Sequence, residues 1–261
     1  MSTETRHPMV RFDAVTKELG GRAVLDEVSF DILEGETFVI VGPSGAGKSV
    51  TLKHMVRLLT PDSGNVFVDG HPISEAEGSD LERLREYFGY LFQGGALLAW
   101  LTVFENVALP LRERTSMAED AICERVQATL ELVGLGNDGG KFPSQISGGM
   151  RKRAGLARAI IRDPKIVLYD EPTSGLDPVT SRTIDALIHR LREEKGVTSV
   201  VVTHDLHSAL SIGSRIAMLH SGHIVELSTP AAFIGSAQPD VKAFLESQFI
   251  TREGKWERNN A

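Results

Sequence analysis

Three short segments of the chain are apolar at almost every position: TFVIVG (37–42), KIVLYDE (165–171) and SVVVTH (199–204). This continuous pattern is typical of strands in a parallel sheet, because helices cover both faces of such a sheet. Each segment is followed by a helical pattern: GKSVTLKHMVRLL, PVTSRTIDALIHRLREE and DLHSALSI. We therefore predict βα units and an α/β core.

One of the helical patterns, residues 178–194, has apolar side chains at steps of three and four residues. They are Ile184, Leu187, Ile188 and Leu191. This spacing predicts an amphipathic helix that buries these four side chains on one face.

Other segments alternate between apolar and polar residues and are bounded by Gly and Asp turns: VRFDAVTKEL, AVLDEVSFDI and NVFVDG. They predict a small antiparallel sheet. Between Phe92 and Asp163 the pattern changes to successive helical segments, FENVALPL, AEDAICERVQATLELVG and GGMRKRAGLARAII. We therefore expect a single domain over residues 1–261, with a helical subdomain at about 94–163 and a C-terminal tail at about 231–261. Within this tail FLESQF predicts a helix, and the polar GKWERNNA is expected to be loose.

Composition narrows the function classes. The net charge of −7 argues against a long basic surface for nucleic acid. The one cysteine, Cys123, cannot form an internal disulfide and is expected to pack on a helix, as in a reducing compartment. MSTETRHPMV lacks the apolar core of a signal peptide, and the apolar runs fall short of the ~20 residues of a membrane helix. We therefore expect a cytoplasmic protein.

The segment GPSGAGKS has the pattern G-x-x-x-x-G-K-[ST] between a predicted strand and a predicted helix. Its glycines let backbone N–H groups converge on phosphate oxygens, Lys48 can reach the β and γ phosphates, and the Ser49 hydroxyl can ligate Mg²⁺. The alternative is a glycine-rich turn that only caps a helix. The predicted nucleotide-binding residues are Gly42, Pro43, Ser44, Gly45, Ala46, Gly47, Lys48, Ser49 and Val50.

A second candidate for chemistry is the pair of acids that ends the strand pattern IVLYDE. Adjacent side chains of a strand point to opposite faces, so the two acids can have different roles. Asp170 is the candidate to hold Mg²⁺, and Glu171 to orient or deprotonate an attacking water. An ordinary solvated strand end is the alternative.

The stretch ISGGMRKRAGLARA opens a predicted helix with three cations, Arg151, Lys152 and Arg153. The N-terminus of a helix carries partial positive charge, so each cation there costs roughly 0.3 to 1 kcal/mol without a nearby anion. We therefore predict that an anion binds at this turn. Gln93 and His204 end two other patterns, FGYLFQ and SVVVTH, where each would ordinarily be a structural hydrogen-bonding residue.

The ordered motifs GPSGAGKS, FQ, ISGGM, IVLYDE, SGLDP and VVTHD resemble those of the ATP-binding-cassette (ABC) ATPases, over about residues 8–230. The resemblance implies a P-loop NTPase of ABC type, with a mostly parallel sheet core, an antiparallel β subdomain and an inserted helical subdomain. It also implies ATP and Mg²⁺ as cofactors. The roles it implies are a Q-loop glutamine that contacts Mg²⁺ for Gln93, the signature motif for Ser147, Gly148 and Gly149, the D-loop for Asp177, and the switch histidine for His204. With Lys48 and Glu171, Gln93 and His204 complete the expected catalytic set.

In this family each ATP is held by the phosphate loop of one subunit and the signature helix of the other. The chain carries one copy of each motif. We therefore expect a symmetric homodimer with two composite sites. Spacing alone leaves open the alternative that the phosphate loop and the signature helix of one monomer bind the same ATP.

Three segments resemble more narrowly the ATPases of Mla and Mce lipid-transport systems: FGYLFQGGALLAWLTVFENVALPLRE, ISGGM with Met150, and GLDPVTSRTIDALI. The resemblance implies phospholipid or sterol transport through a separate MlaE-like transmembrane permease, together with an Mce-domain protein and a small regulatory subunit. The ATPase would lie on the cytoplasmic face of the inner membrane. The expected permease contacts are Leu97, Leu98, Trp100 and Leu101; alternatively, these residues pack the helical subdomain.

Other functions remain open at this stage: the ATPase of another ABC importer or exporter, a nucleic-acid-associated ABC ATPase, and a catalytically dead module. The acids Asp170 and Glu171 argue against the last, as do Lys48 and His204.

One departure from the family is Leu19, which occupies the place of a common adenine-stacking aromatic residue and predicts weaker contact with the base.

Overall fold

The computed structural model describes residues 7–248. The predictions for GKWERNNA and for the last residue of FLESQF fall outside this range. The strands are β1 (Pro8–Leu19), β2 (Arg22–Leu33), β3 (Thr37–Val41), β4 (Ser63–Val68), β5 (His71–Pro72), β6 (Phe88–Leu91), β7 (Ile166–Asp170), β8 (Thr198–Thr203), β9 (Arg215–His220) and β10 (His223–Ser228). The helices are α1 (Lys48–Met55), α2 (Gly78–Arg85), α3 (Val103–Arg114), α4 (Glu119–Leu132), α5 (Gly148–Ile160), α6 (Pro178–Lys195), α7 (Leu206–Ile212), α8 (Pro230–Ile234) and α9 (Pro239–Ser247).

The described chain forms two compact units. The first contains residues 7–85 and 198–248, and the second contains residues 86–197. Among the helices of residues 7–248, none has the length and apolar character that crossing a membrane requires.

The first unit contains the predicted antiparallel sheet, with strand order β2-β1-β4-β5. Alternation along β1 and β2 buries Phe12 and Phe30, which are cross-strand partners whose rings stack at 4.6 Å. The ring of Phe30 in turn stacks on Phe38 of β3 at 5.2 Å. One aromatic column therefore joins the antiparallel sheet to the parallel strands of this unit.

In the same unit β3 pairs in parallel with β8 on one side and β9 on the other, and β10 adds to β9 in the antiparallel sense. All residues of β3 and β8 are buried. The continuous apolar runs of the sequence are therefore buried parallel strands, as predicted.

The second unit contains the parallel pair β6 and β7 and the helices α3 to α6. The buried side chains of α6 are Ile184, Leu187, Ile188 and Leu191, which confirms the predicted apolar face. Mostly parallel strands, an antiparallel sheet and a helical segment are thus all present, and the predicted fold class is confirmed.

Two local predictions are wrong. The helix after the phosphate loop ends at Met55, because Arg57 adopts a left-handed backbone conformation with φ of 50°. Cys123 lies on α4 but is exposed, since Ile122, Val126 and Leu130 form the buried face of that helix.

Candidate functional site

The glycine-rich loop lies between β3 and α1, and two of its glycines are required by the structure. A Cβ at Gly42 would lie 2.2 Å from the carbonyl oxygen of Leu219, and one at Gly47 would lie 2.8 Å from that of Val24. Gly47, which precedes the first residue of α1, also has φ of 102°. The tip of the loop, residues 43–45, is exposed. The loop therefore presents the N-terminus of α1 to an approaching anion.

Lys48 is buried, with 7% of its surface exposed, and its ammonium group lies against this loop. Its Nζ donates to the carbonyl oxygens of Gly42 at 2.8 Å and Pro43 at 3.1 Å. The positive charge is thus held at the loop, where phosphate oxygens would offer it stronger acceptors than carbonyl groups.

Strand pairing brings His204 to the same sheet edge as the loop. Val41 is the register partner of Thr203, so the loop and His204 begin at the same level of two adjacent parallel strands. His204 is exposed. The next residue, Asp205, caps α7 by accepting from the N–H groups of His207 and Ser208.

The turn at His204 is fastened by Gln248, a residue that sequence reasoning missed. The Gln248 side-chain amide donates to the carbonyl oxygen of His204, and its oxygen accepts from Leu206 N–H at 3.0 Å. Gln248 directly follows α9, which is anchored by the buried Val241 and Leu245. The sequence signals the helix in FLESQF but contains no local pattern that indicates its partner.

The second unit repeats this arrangement at β6 and β7. Leu91 is the register partner of Tyr169, so the segments with Gln93 and with Asp170 leave the parallel pair at the same edge. Gln93 is exposed, and Asp170 is buried. Burial raises the pKa of the Tyr90 phenol, and the negative charge of Asp170 raises it further.

Glu171 lies directly after β7 in a left-handed backbone conformation, with φ of 50°. This conformation costs roughly 1 to 2 kcal/mol for a residue other than glycine. The Glu171 carbonyl oxygen accepts from Lys152 Nζ at 2.8 Å and from Ser174 N–H at 3.3 Å. These hydrogen bonds hold the strained turn in place.

The signature segment forms the N-terminus of α5. Ser147 caps the helix by accepting from Met150 N–H at 3.2 Å, and Ser147 itself is exposed. Gly149 is packed so closely that a Cβ would lie 2.4 Å from Thr180 of α6. Asp177 caps α6 by accepting from the N–H group of Thr180, and the Thr180 hydrogen bonds lower the pKa of Asp177.

Each of the three cations near the start of α5 donates to backbone carbonyl groups, and the binding of an anion at this turn stays a prediction. Arg151 donates to Ile146, Lys152 to Glu171 and Ser174, and Arg153 to Val133 and Gly134. Burial lowers the pKa of Lys152 to about 8, against the opposing effect of the Glu171 charge. The carbonyl dipoles offset the cost of placing these cations near the N-terminus of a helix.

The segment after Gln93 is locked onto α5. A Cβ on Gly155 would lie 2.9 Å from Gly95, and Arg158 donates to the carbonyl oxygens of Gly95 at 2.9 Å and Ala96 at 2.8 Å. This contact has no room for a side chain at either glycine.

Farther along, the fully buried Asn106 holds the loop that contains Trp100. Its side chain accepts from Leu98 N–H at 2.7 Å and donates to three carbonyl oxygens of the loop, those of Leu98, Leu101 and Thr102. Trp100 is 73% exposed, whereas Leu98 and Leu101 are half-buried. Of the expected permease contacts, the tryptophan is therefore the most accessible.

Oxygen donors dominate the residues expected to bind a metal. Ser49, Gln93 and Asp170 supply a hydroxyl, an amide and a carboxylate, a donor set that suits Mg²⁺. Residues 7–248 contain no group of three His, Cys, Asp or Glu side chains that could hold a metal ion. Mg²⁺ in nucleotide sites needs only one or two carboxylates, because phosphates and water complete its shell.

Leu19, which is expected to lie near the base of the nucleotide, is 42% exposed.

The chain is similar to proteins of one family. Residues 25–174 match the family model described as ABC transporter. The probable ribonucleotide transport ATP-binding protein mkl of Mycobacterium leprae is 42% identical over 248 residues, which are 94% of this chain and 72% of mkl. The intermembrane phospholipid transport system ATP-binding protein MlaF of Escherichia coli is 38% identical over 227 residues, which are 87% of this chain and 84% of MlaF.

A solved structure similar to this chain is that of the ATP-binding cassette MJ0796, a dimer in a post-hydrolysis state bound to ADP and Pi. The two chains superpose with a TM-score of 0.79 and are 36% identical, over 85% of this chain and 99% of that one.

The two hydrogen bonds between Gln248 and the His204 turn, called here the Gln248 bracket, lead to a test. In Gln248→Ala the Leu206 N–H loses its acceptor, so we expect its hydrogen exchange to quicken about tenfold. Amide exchange followed by NMR measures this. Ser247→Ala is the matched control, since Ser247 donates within its own helix, to the carbonyl oxygen of Phe244 at 2.7 Å. Unchanged exchange at Leu206 in Gln248→Ala would contradict the bracket.

Proposed function

The chain belongs to the ABC transporter family and is an ATPase subunit, and we propose that it powers phospholipid transport through a separate membrane permease. The observation that carries the lipid assignment is the similarity to MlaF, which extends over 84% of that phospholipid-transport protein. A second candidate is ribonucleotide transport, which the 42% identity to mkl favours. In either case the permease is a separate polypeptide and the ATPase sits on the cytoplasmic face of the membrane.

We assign the nucleotide chemistry to the residues of the two sheet edges. The exposed loop 43–45 and Lys48 hold the phosphates, and His204 contacts the γ phosphate. Ser49, Gln93 and Asp170 hold Mg²⁺, which neutralises phosphate charge when it is bound. Glu171 orients the attacking water and accepts its proton. Rate enhancement then comes from positioning and charge neutralisation.

We further propose a symmetric homodimer with two composite sites, in which Ser147 and Gly148 of one subunit bind the nucleotide of the other. The exposed Ser147 at the N-terminus of α5 supports this, because the N-terminus of a helix is a favourable place for an anion, here one that a second copy would supply. Val179, next to the Asp177 cap, is 77% exposed and is available to the same interface. The dimeric MJ0796 cassette bound to ADP and Pi is consistent with this scheme.

Replacing Glu171 tests both its catalytic role and the composite site. Glu171→Gln removes the proton acceptor but keeps the shape of the side chain, so ATP turnover should fall at least about 100-fold. The variant should accumulate as a dimer with ATP and Mg²⁺, measured by size-exclusion chromatography with light scattering. Lys48→Ala, which loses phosphate binding, should stay monomeric under the same conditions.

A Glu171→Gln protein that is saturated with ATP yet monomeric would contradict the composite site. So would full ATP turnover by Ser147→Glu in the presence of the permease, because an acid at that position repels the partner's phosphates.

The permease is expected to dock at the loop of residues 97–101. Asn106 preorganises this loop and Trp100 projects from it, so docking needs little ordering of the loop. An exposed tryptophan on a rigid loop is typical of the residues that dominate binding energy at interfaces. An Mce-domain protein and a small regulatory subunit complete the proposed assembly.

Replacing the tryptophan tests this docking surface. Trp100→Glu should weaken association with the permease about 30-fold, since loss of a central interface tryptophan costs about 2 kcal/mol. Affinity for the detergent-solubilised permease measures it. Phe142→Glu is the control, because Phe142 is an exposed aromatic residue of the same unit. Equal affinity of the two variants, both with unchanged melting temperature, would show that the docking surface lies elsewhere.

The transported molecule is tested in vesicles that contain the ATPase and its permease. We expect ATP to drive the transfer of a fluorescent phospholipid to acceptor vesicles, and Glu171→Gln to stop it. ATP-driven uptake of a labelled ribonucleotide without lipid transfer would replace the lipid assignment by the second candidate.

A further inference from the structure

Lys152 is the most deeply buried of the three cations near the start of α5, and its side chain reaches the turn of residues 171–174. Its side chain is 5% exposed. Its Nζ donates to the carbonyl oxygens of Glu171 at 2.8 Å and Ser174 at 2.6 Å. One ammonium group therefore spans the turn that begins at Glu171.

This contact acts on a strained residue of the backbone. Glu171 is held in a left-handed conformation, and its other described backbone bond to the turn, from Ser174 N–H, is long at 3.3 Å. The carbonyl oxygen that Lys152 binds belongs to the same residue as the proposed catalytic carboxylate. Movement of this carbonyl group would rotate the Glu171 backbone and redirect its side chain.

The neighbouring Arg153 makes the same kind of contact with a different part of the chain, which makes it a useful comparison for Lys152. It also donates to two carbonyl oxygens, those of Val133 at 2.9 Å and Gly134 at 2.7 Å, which follow α4. Two adjacent cations of one helix thus make the same kind of bond, and only that of Lys152 reaches the residue proposed to activate water.

We propose that Lys152 is a positioning residue for the hydrolysis reaction, which holds the Glu171 turn so that the carboxylate faces the attacking water. The proposal rests on the role of Glu171 in the proposed function. Lys152 transfers no proton and touches no nucleotide; it acts through the backbone of Glu171. It also ties this turn to the helix whose N-terminus contains Ser147, so that one anchor joins two elements that serve different composite sites.

Steady-state ATPase kinetics of the full chain test the proposal. Lys152→Met should lower kcat about 10- to 100-fold, the effect of losing hydrogen bonds from a charged donor, while KM for ATP changes less than about threefold. Lys152→Arg, which keeps charge and donors, should restore kcat to within about fivefold of wild type. Arg153→Met serves as the matched control, with a lower melting temperature but kcat within about threefold of wild type.

A double-mutant cycle separates positioning from a general structural effect. If Lys152 acts through Glu171, adding Lys152→Met to Glu171→Gln should lower the residual rate by no more than about twofold. Independent, multiplying losses would overturn the proposal, as would an unchanged kcat in Lys152→Met. Should Lys152→Met not fold, Lys152→Gln takes its place in the cycle, because it keeps a donor without the charge.

The same cycle distinguishes the two levels of inference. If Glu171→Gln alone leaves turnover unchanged, the proposed role of Glu171 fails. If Glu171→Gln slows turnover and the losses multiply, only the role of Lys152 fails.

Discussion

Parallel strand pairing is the constraint on which the rest of the structure depends. In the first unit the register of Val41 with Thr203 starts the phosphate loop and the His204 turn at one level. In the second unit the register of Leu91 with Tyr169 does the same for the segments with Gln93 and Asp170. Because buried parallel strands all end at the carboxyl edge of their sheet, backbone pairing brings residues that are far apart in sequence to a common edge.

Around these edges, backbone carbonyl groups accept hydrogen bonds from three cations. Lys48 binds the carbonyl groups of its own loop, Lys152 those of the Glu171 turn, and Arg158 those that follow Gln93. Each of these cations is positioned in part by the neutral dipoles of backbone carbonyl groups.

The sequence predicts the features that arise from local pattern. Continuous apolar runs mark the parallel strands, and three- and four-residue steps mark the buried face of α6, because each depends only on which faces of an element are covered. The partners of Lys152 and Gln248 could not be predicted in this way. Their acceptors lie 19 and 44 residues away, so tertiary folding alone decides where these side chains point. The same holds for Cys123, which lies on the expected helix but on its solvent side.

The side-chain amide of Gln248 connects α9 to the turn that contains His204, the residue proposed to contact the γ phosphate. His204 lies on a short turn between β8 and α7. The Gln248 amide donates to the carbonyl oxygen of His204 through its nitrogen and accepts from Leu206 N–H through its oxygen. A protein that bound α9 and displaced it would remove both hydrogen bonds of Gln248 from this turn. Under the proposed role of His204, such a partner would act on ATP turnover through the segment after β10 and would need no contact with the phosphate loop.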